Sequence, residues 1–349
     1  MKTAFAAATV MCLLLVGCSS TPDESPSPAS TPATTPAAEP AQAPDSADPI
    51  GTVVPLPGAP EGIVVGTSGI AAAGVREPDG VVLFDAATGA VRQMVPTTGA
   101  PRHLSLAGPD GPVLVPLEGS DELLEVALND GAILSTATGV GRQPHDAVLT
   151  SGGTIVATNE MGGGVIFLRE GSVLSELPPG PVQPGGAAAL GPYAAVADVQ
   201  GNGVWVYDGA TQREVAQAPI GVKLTHAVTV NETTAGFADT DGGTVLLASV
   251  DAAGSIRQTA SIEAPGNPYG LAVDRDRALL FVTLTASNLL RVVDVSDVSA
   301  PRILGDVPTV TQANSVAVDP RTGDVLVTGS DPGATSSIQI IPRAELPAG

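Results

Sequence analysis

The sequence predicts an all-β fold, a seven-bladed β-propeller built from four-stranded antiparallel blades. One observation is a period: a mostly polar position recurs every 40 to 45 residues, a spacing typical of one blade. A second is a series of short segments rich in Val, Ile and Leu, separated by Gly and Asp turns. A third is that residues 50–349 show no sustained helical periodicity. The recurring positions are Glu61, His103, His145, Gly185, His226, Tyr269 and Asn314.

Each repeat has the same predicted order of elements. The recurring position opens the first, innermost strand, and a turn, a second strand, a hairpin, a third strand and an outer fourth strand follow. Residues 90–95 are an example of the outer strand, just before His103. The clearest pairs of second and third strands are 155–159 with 164–167, 195–198 with 203–208, 236–239 with 244–247, and 281–283 with 288–294.

The two ends of the repeat region predict how the ring closes. Residues 50–56 have the character of an outer strand but precede the first repeat, whereas residues 337–341 have the character of a third strand and end the last repeat. We therefore expect the N-terminal strand to complete the last blade. Such an exchange removes the open sheet edges that invite aggregation.

The first residues have the features of an export signal. Lys2 supplies a positive charge, and residues 4–16 form an apolar stretch too short for a membrane span. The stretch ends in Leu15-Val16-Gly17-Cys18, which resembles the lipobox of bacterial lipoproteins. The resemblance implies a signal peptide over residues 1–17, a lipid on Cys18 and an extracytoplasmic protein anchored to the cell membrane. The alternative is an ordinary secretory signal that contains a chance cysteine.

Residues 18–49 are predicted to be a disordered tether, because Pro, Ala, Ser and Thr dominate them and they cannot bury a core. The propeller then spans residues 50–349. It contains no cysteine, since the chain has only Cys12 and Cys18, so neither disulfides nor thiol chemistry is expected there. The formal charge of −21 disfavours nucleic acid and anionic lipid as partners.

Several polar side chains are predicted to share the face on which the innermost strands begin. The three histidines of the chain occupy recurring positions, and the preceding loops carry Arg102 and Arg142. Three second strands end in Asn159, Asp198 and Asp239. Loops on one face of a rigid β scaffold are where binding sites are usually built. The candidate ligand-binding residues are Glu61, Arg102, His103, Arg142, His145, Asp198, His226, Asp239, Tyr269 and Asn314.

Three imidazoles around one channel also raise the alternative of a bound transition metal, with His103, His145 and His226 as ligands. The distance between opposite blades argues against it, because blades 2 and 5 lie almost across the ring. A further alternative is that the histidines merely hydrogen-bond water and loops at a wet channel mouth.

The repeats resemble the seven-bladed propellers with YVTN-type repeats, a group close to lactonase-like and quinoprotein-dehydrogenase-like propellers. Residues 281–283, 288–294, 267–273 and 314–320 carry the resemblance. The Gly-His and Trp-Asp signature of WD40 repeats is absent. The resemblance implies a fold that serves enzymes, electron-transfer proteins and binding modules alike.

The sequence favours a binding or scaffold module over an enzyme, because it contains no nucleophile elbow, Walker loop or dinucleotide-binding loop. Its ligand is an unidentified protein or small molecule, and no cofactor is required. The alternatives are a metal- or redox-cofactor-binding propeller and a lactonase-type hydrolase. In the hydrolase, a histidine would act as general base and an arginine would stabilise the oxyanion, with Glu61, Arg102, His103, Arg142 and His145 as candidates.

Overall fold

The fold prediction is confirmed: the chain forms seven four-stranded antiparallel sheets arranged as the blades of a propeller. The computed structural model describes residues 39–44, 48–201, 203–329 and 336–348. These residues include no α-helix, and two single 3₁₀ turns cover Thr285–Ser287 and Arg343–Glu345. Along the described ranges, no helix is long and apolar enough to cross a membrane. The predicted signal peptide over 1–17, Cys18 and most of the predicted tether lie outside the described residues.

The strands follow one another blade by blade. The first strand of the chain is β1 (Thr52–Pro55). Blade 1 contains β2 (Ala59–Val65), β3 (Ile70–Arg76), β4 (Gly80–Asp85) and β5 (Val91–Pro96). Blade 2 contains β6 (Ser105–Leu106), β7 (Val113–Leu117), β8 (Glu122–Val126) and β9 (Ile133–Thr138). Blade 3 contains β10 (Pro144–Leu149), β11 (Ile155–Asn159), β12 (Val165–Arg169) and β13 (Ser172–Leu177).

The second half of the ring repeats this order. Blade 4 contains β14 (Pro184–Leu190), β15 (Tyr193–Asp198), β16 (Gly203–Asp208) and β17 (Arg213–Ala218). Blade 5 contains β18 (Leu224–Thr229), β19 (Thr234–Asp239), β20 (Thr244–Val250) and β21 (Ile256–Glu263). Blade 6 contains β22 (Pro268–Asp274), β23 (Leu279–Leu284), β24 (Leu289–Asp294) and β25 (Arg302–Pro308). Blade 7 contains β26 (Ala313–Val318), β27 (Val325–Gly329) and β28 (Ser337–Ile341).

Blade 7 is completed by β1, as the sequence predicts. The order of strands in this sheet is β1-β28-β27-β26, and Val54 lies opposite Ile338. The buried Gln339 side chain reinforces the junction, because its amide donates to the carbonyls of Ile50 and Pro308 and accepts from the N–H of Val310. Residues from the beginning and the end of the chain therefore share one sheet.

The hydrophobic core is divided among the contacts between neighbouring blades. Each pair of adjacent blades buries its own apolar cluster, made mostly of Val, Leu, Ile and Ala from the first three strands. The outer fourth strands are largely exposed, as in β5 and β13. Because every blade packs against two neighbours, the ring holds the seven innermost strands at fixed positions around the axis.

Gly51 lies at the closure and offers a test of its importance. Its φ is +69°, and a Cβ there would lie 2.2 Å from the carbonyl oxygen of Ile340. Gly139 has the same φ of +69° but nothing within 4 Å of a Cβ. We expect Gly139→Ala to lower the free energy of unfolding by about 1–2 kcal/mol, the cost of the left-handed conformation. We expect Gly51→Ala to cost about 2–5 kcal/mol, because overpacking against the strand is added.

Urea unfolding of the two variants and the parent measures both losses. Equal losses would mean that the contact between Gly51 and β28 does not hold the ring closed.

Candidate functional site

The innermost strands are irregular where they begin, on what we term the upper face of the propeller. Pairing with the second strand shifts register at the start of these strands, for example between Pro144 and Ala147 in blade 3 and between Leu224 and His226 in blade 5. β-Bulges of this kind bend the strand and re-aim side chains. Corresponding shifts occur in blades 1, 4, 6 and 7.

The residues where the innermost strands begin form two adjacent rings rather than the single ring that the sequence predicts. A small cavity of about 80 Å³ is lined by residues of six blades, and one residue from each forms what we term the lower ring: Gly62, His103, Asp146, His226, Gly270 and Ser315. The residues immediately before them form the upper ring: Glu61, Arg102, His145, Thr225, Tyr269 and Asn314. His103 and His226 thus lie one residue deeper than His145.

The three histidines nevertheless converge, and we term them the histidine cluster. The ring centroids lie 4.3 Å apart for His103 and His145, 4.0 Å for His103 and His226, and 6.4 Å for His145 and His226. All three are buried, with exposed fractions of 7%, 0% and 8% for His103, His145 and His226. The rings from blades 2 and 5 are therefore in contact, although no choice of one nitrogen from each histidine brings all three within 4.8 Å of one another.

His145 is oriented by a buried carboxylate. Its Nδ1 lies 2.9 Å from Oε2 of Glu160, whose Oε1 accepts a hydrogen bond of 3.0 Å from the amide of Gln183. A carboxylate accepts, so Nδ1 carries the proton that it donates, and Nε2 is the ring nitrogen left for another partner. Within the described part of the chain, Nε2 of His145 has no hydrogen-bond partner.

His103 and His226 have no hydrogen-bond partner at either ring nitrogen among the described residues. Burial lowers the pKa of both imidazoles well below 6.5, and neighbouring cationic groups lower it further. Both rings are therefore neutral at pH 7. Buried polar atoms without partners are uncommon in proteins and mark places where a ligand, ion or water completes the bonding.

A network of arginines and glutamates, which we term the Arg–Glu network, adjoins the histidines. The fully buried Arg102 lies 3.0 Å from a carboxylate oxygen of Glu39, 3.1 Å from Glu118 and 3.7 Å from Glu61. Arg76 lies 3.0 Å from Glu118 and 3.5 Å from Glu61. Burial raises the pKa of Glu61 against the opposing effect of the arginines. The two guanidinium groups are thus each paired with carboxylates, as a buried guanidinium requires, and the network carries one more carboxylate than guanidinium.

Glu118 and Glu160 were missed by the sequence interpretation, although a signal for them exists. Both immediately follow the end of a second strand and lie 42 residues apart, in the same period as the recurring positions. Their backbone N–H groups make corresponding bonds, from Glu118 to Ala100 O and from Glu160 to Gln143 O. The sequence interpretation stopped one residue short, at Asn159.

Two of the predicted acidic ligand-binding residues instead accept hydrogen bonds from backbone N–H groups. Asp198 accepts from the N–H groups of Val182 and Gln183. Asp239 accepts from the N–H groups of Val222 and Lys223. Each carboxylate fixes the loop that leads into an innermost strand.

The remaining predicted residues differ in position. Tyr269 is fully buried, and its ring centroid lies 4.0 Å from that of His226. Asn314 joins blade 7 to blade 1, because its amide donates to Pro60 O. Arg142 is exposed on its loop. The structure thus brings Glu61, Arg102, the histidines and Tyr269 together and leaves Arg142 outside.

Below the lower ring, the channel widens into a cavity of about 610 Å³. Its walls are mainly aliphatic, and it extends from Asp146 to the turn residues Ser151, Glu232 and Arg275 at the opposite, lower face. Both oxygens of Asp146 accept backbone N–H groups, from Ala147 and Ala187. Burial nevertheless raises the pKa of Asp146 to about 6.

One set of possible metal ligands is close enough to share an ion in the ranges described. Single ligand atoms of Glu118, His145 and Glu160 lie within 4.8 Å of one another. Glu118 is already paired with Arg76 and Arg102, and Glu160 holds His145. Both carboxylates are therefore already engaged, because Glu160 orients His145 and Glu118 pairs with the arginines. They are less suited to taking the place of water around a metal ion.

No family model matches the sequence, and no curated protein matches it. Solved structures share the fold. Hydrazine synthase of Kuenenia stuttgartiensis is 18% identical, with 83% of this chain and 97% of that chain covered at a TM-score of 0.67. The WD40 repeats of RRP9 are 17% identical, with 86% and 99% covered at 0.69. Virginiamycin B lyase of Staphylococcus aureus is 13% identical, with 83% and 98% covered at 0.66. At these identities the similarity establishes a seven-bladed β-propeller and leaves its function open.

The raised pKa of Asp146 predicts a pH dependence of stability. Between its folded pKa of about 6 and its ordinary value of 3.8, the folded chain holds a proton that the unfolded chain has released. Its contribution to stability therefore rises as pH falls from 7 to 4, by about 3 kcal/mol at most. His103 and His226 act oppositely, because their folded pKa values are lowered and the unfolded chain takes up protons first.

Comparing the parent with Asp146→Asn isolates the carboxylate, since both proteins retain the histidines. We expect the parent to gain stability relative to the variant as pH falls, on top of a constant offset for a lost backbone hydrogen bond. Urea unfolding at several pH values measures the difference. Parallel stability curves would contradict the raised pKa.

Proposed function

We propose that this protein is a lipid-anchored, extracytoplasmic binding module whose histidine cluster holds a transition-metal ion. The observation that carries the proposal is the set of ring nitrogens without partners: both nitrogens of His103, both of His226 and Nε2 of His145. Imidazole nitrogens in this number suit zinc, copper or nickel rather than magnesium or calcium, which prefer oxygen ligands.

The ring centroids of the three histidines are spaced near the value for a shared ion, but one nitrogen from each ring does not yet lie within 4.8 Å of the other two. A Zn–N bond of about 2.0–2.1 Å puts each ring centroid about 3.2 Å from the ion, and tetrahedral angles then separate the centroids by about 5 Å. The separations here are 4.0, 4.3 and 6.4 Å, on both sides of that value. Binding therefore requires side-chain rotations that bring one nitrogen of each ring to a common point.

The surroundings supply the other requirements of a metal site. Histidine must be neutral to bind a metal. Burial lowers the pKa of His103 and His226, so both rings stay neutral at pH values at which an exposed histidine would be protonated. Glu160 fixes the ring of His145, as outer carboxylates commonly do for metal-bound histidines. The strongly acidic chain would raise the concentration of cations at its surface.

Binding is favoured over lactone hydrolysis by the positions of the arginines. An oxyanion needs a donor with free N–H groups aimed at it. Arg102 is surrounded by three carboxylates, and Arg142 is exposed on its loop. The histidines thus retain a lone pair for a ligand, whereas neither of the two arginines considered for the oxyanion presents free N–H groups beside them.

Metal binding is testable with the full chain purified without affinity histidines. We expect about one equivalent of Zn²⁺ or Cu²⁺ by elemental analysis and calorimetric titration, and loss of the bound metal in His103→Asn or His226→Asn. Glu160→Gln should weaken affinity about 10–100-fold, because the carboxylate orients a ligand without replacing it.

Glu232→Gln is the matched control, since Glu232 lies at the lower mouth of the channel, away from the histidines. It should bind metal as the parent does. Circular dichroism of each variant separates loss of binding from loss of fold. Unchanged affinity in the histidine variants, or no bound metal in the parent, would disprove the metal site.

The membrane anchor is tested separately at Cys18. We expect Cys18→Ala to remove the lipid mass from the N-terminal peptide and to shift the protein out of the membrane fraction of a bacterial host. Cys12→Ala, which changes the other cysteine of the chain, should leave both unchanged. Mass spectrometry of the mature N-terminus and cell fractionation check both results. An unlipidated N-terminus in the parent would refute the anchor.

A further inference from the structure

We propose that the upper face contains a peptide-binding groove, occupied here by residues 39–44 of the same chain and able to bind the same segment of a second copy of this chain instead. That segment contains Pro40 and Pro44 and carries the Glu39 side chain. The groove lies beside the metal site but does not depend on it, because its contacts are made by other atoms.

Gln312 recognises the backbone of this segment in two directions. Its Oε1 accepts a 2.9 Å hydrogen bond from the N–H of Ala43, and its Nε2 donates to the carbonyl of Ala41. Paired hydrogen bonds of this kind recognise an extended backbone whatever side chain lies between them. Gln312 is itself only 4% exposed, so its amide is committed to the groove.

Asn288 and Arg102 bind the two ends of the segment. The amide of Asn288 donates to the carbonyl of Pro44, while its Oδ1 accepts from the N–H of Gln312 and so holds the two groove residues together. At the other end, the guanidinium of Arg102 donates to the Glu39 carboxylate at 3.0 Å. The groove therefore specifies backbone direction and one acidic side chain.

The segment is held weakly enough to exchange. The contacts are hydrogen bonds and one ion pair, and the side chain of Glu39 is 51% exposed. Arg102 is fully buried, so its guanidinium favours a carboxylate in this place when the segment leaves, and the Glu39 of a second copy can supply it. The extended backbone that Pro40 and Pro44 favour reduces the entropy lost on binding, for this segment or for a similar peptide in its place.

The segment also competes with any partner from a short distance. A binding sequence tethered to its own site acts at an effective concentration in the millimolar range. The parent chain should therefore bind an added peptide poorly, and replacing the segment should reveal the groove.

The test uses the full chain in detergent and a fluorescein-labelled peptide reproducing residues 36–47. Fluorescence anisotropy is measured with EDTA present, so the outcome is independent of metal binding. In a variant whose residues 39–44 are replaced by Gly-Ser repeats, we expect saturable binding at least tenfold tighter than in the parent. The same peptide carrying Glu39→Gln should bind more weakly.

Gln312→Ala in the replaced background should weaken peptide binding at least tenfold. Gln212→Ala is the matched control, because Gln212 has φ of +56° against +58° for Gln312 and its side chain contacts Ser175 instead. The control should bind the peptide normally. Failure of the folded, replaced variant to bind, or equal binding by the two glutamine variants, would overturn the groove.

Size-exclusion chromatography identifies one natural source of the peptide. Concentration-dependent dimers of the parent that are lost on replacing residues 39–44 would support the groove with a second copy as the partner. A parent that stays monomeric at every concentration would overturn exchange of the segment between copies, even if the replaced variant binds the peptide.

Discussion

Closure of the ring by β1 is the constraint on which the rest of the molecule depends. The pairing of β1 with β28 joins residues that are almost the whole chain apart, and it completes a ring in which every apolar cluster lies between two blades. The ring diameter sets how far the innermost strands stand from the axis. His103 and His226 come from blades separated by two others, so their contact exists only because the ring is closed.

Charged residues and neutral polar residues occupy successive positions along the innermost strands. The upper ring contributes Glu61 and Arg102, whose charges are compensated within the Arg–Glu network, whereas the lower ring contributes the neutral His103 and His226. Burying a guanidinium is tolerable only with carboxylates around it. The arginines and glutamates of the network pair with one another. The groups that remain available to a ligand are therefore the lone pairs of the imidazoles.

The sequence is sufficient to predict the fold, because repetition makes each blade a check on the others. The pairing of β1 with β28, which closes blade 7, can be predicted from where the repeats begin and end. The depth of the histidines could not be predicted, since a β-bulge shifts a side chain by one position and leaves no mark on the spacing. The role of Glu160 was missed because it became visible only when His145 was placed opposite it. Asp198 and Asp239 are of a residue type common in binding sites, yet their carboxylates accept hydrogen bonds from loop N–H groups.

The histidine cluster contains every imidazole of the chain, since the sequence has three histidines in total. In a spectrum of isotope-labelled protein, all imidazole resonances therefore arise from one place, without background from surface rings. Tautomer, protonation and ligand exchange at the centre of a 34.5 kDa protein become readable from a handful of nitrogen signals. The propeller thus carries its own magnetic-resonance reporter, with no histidine elsewhere in the chain to remove.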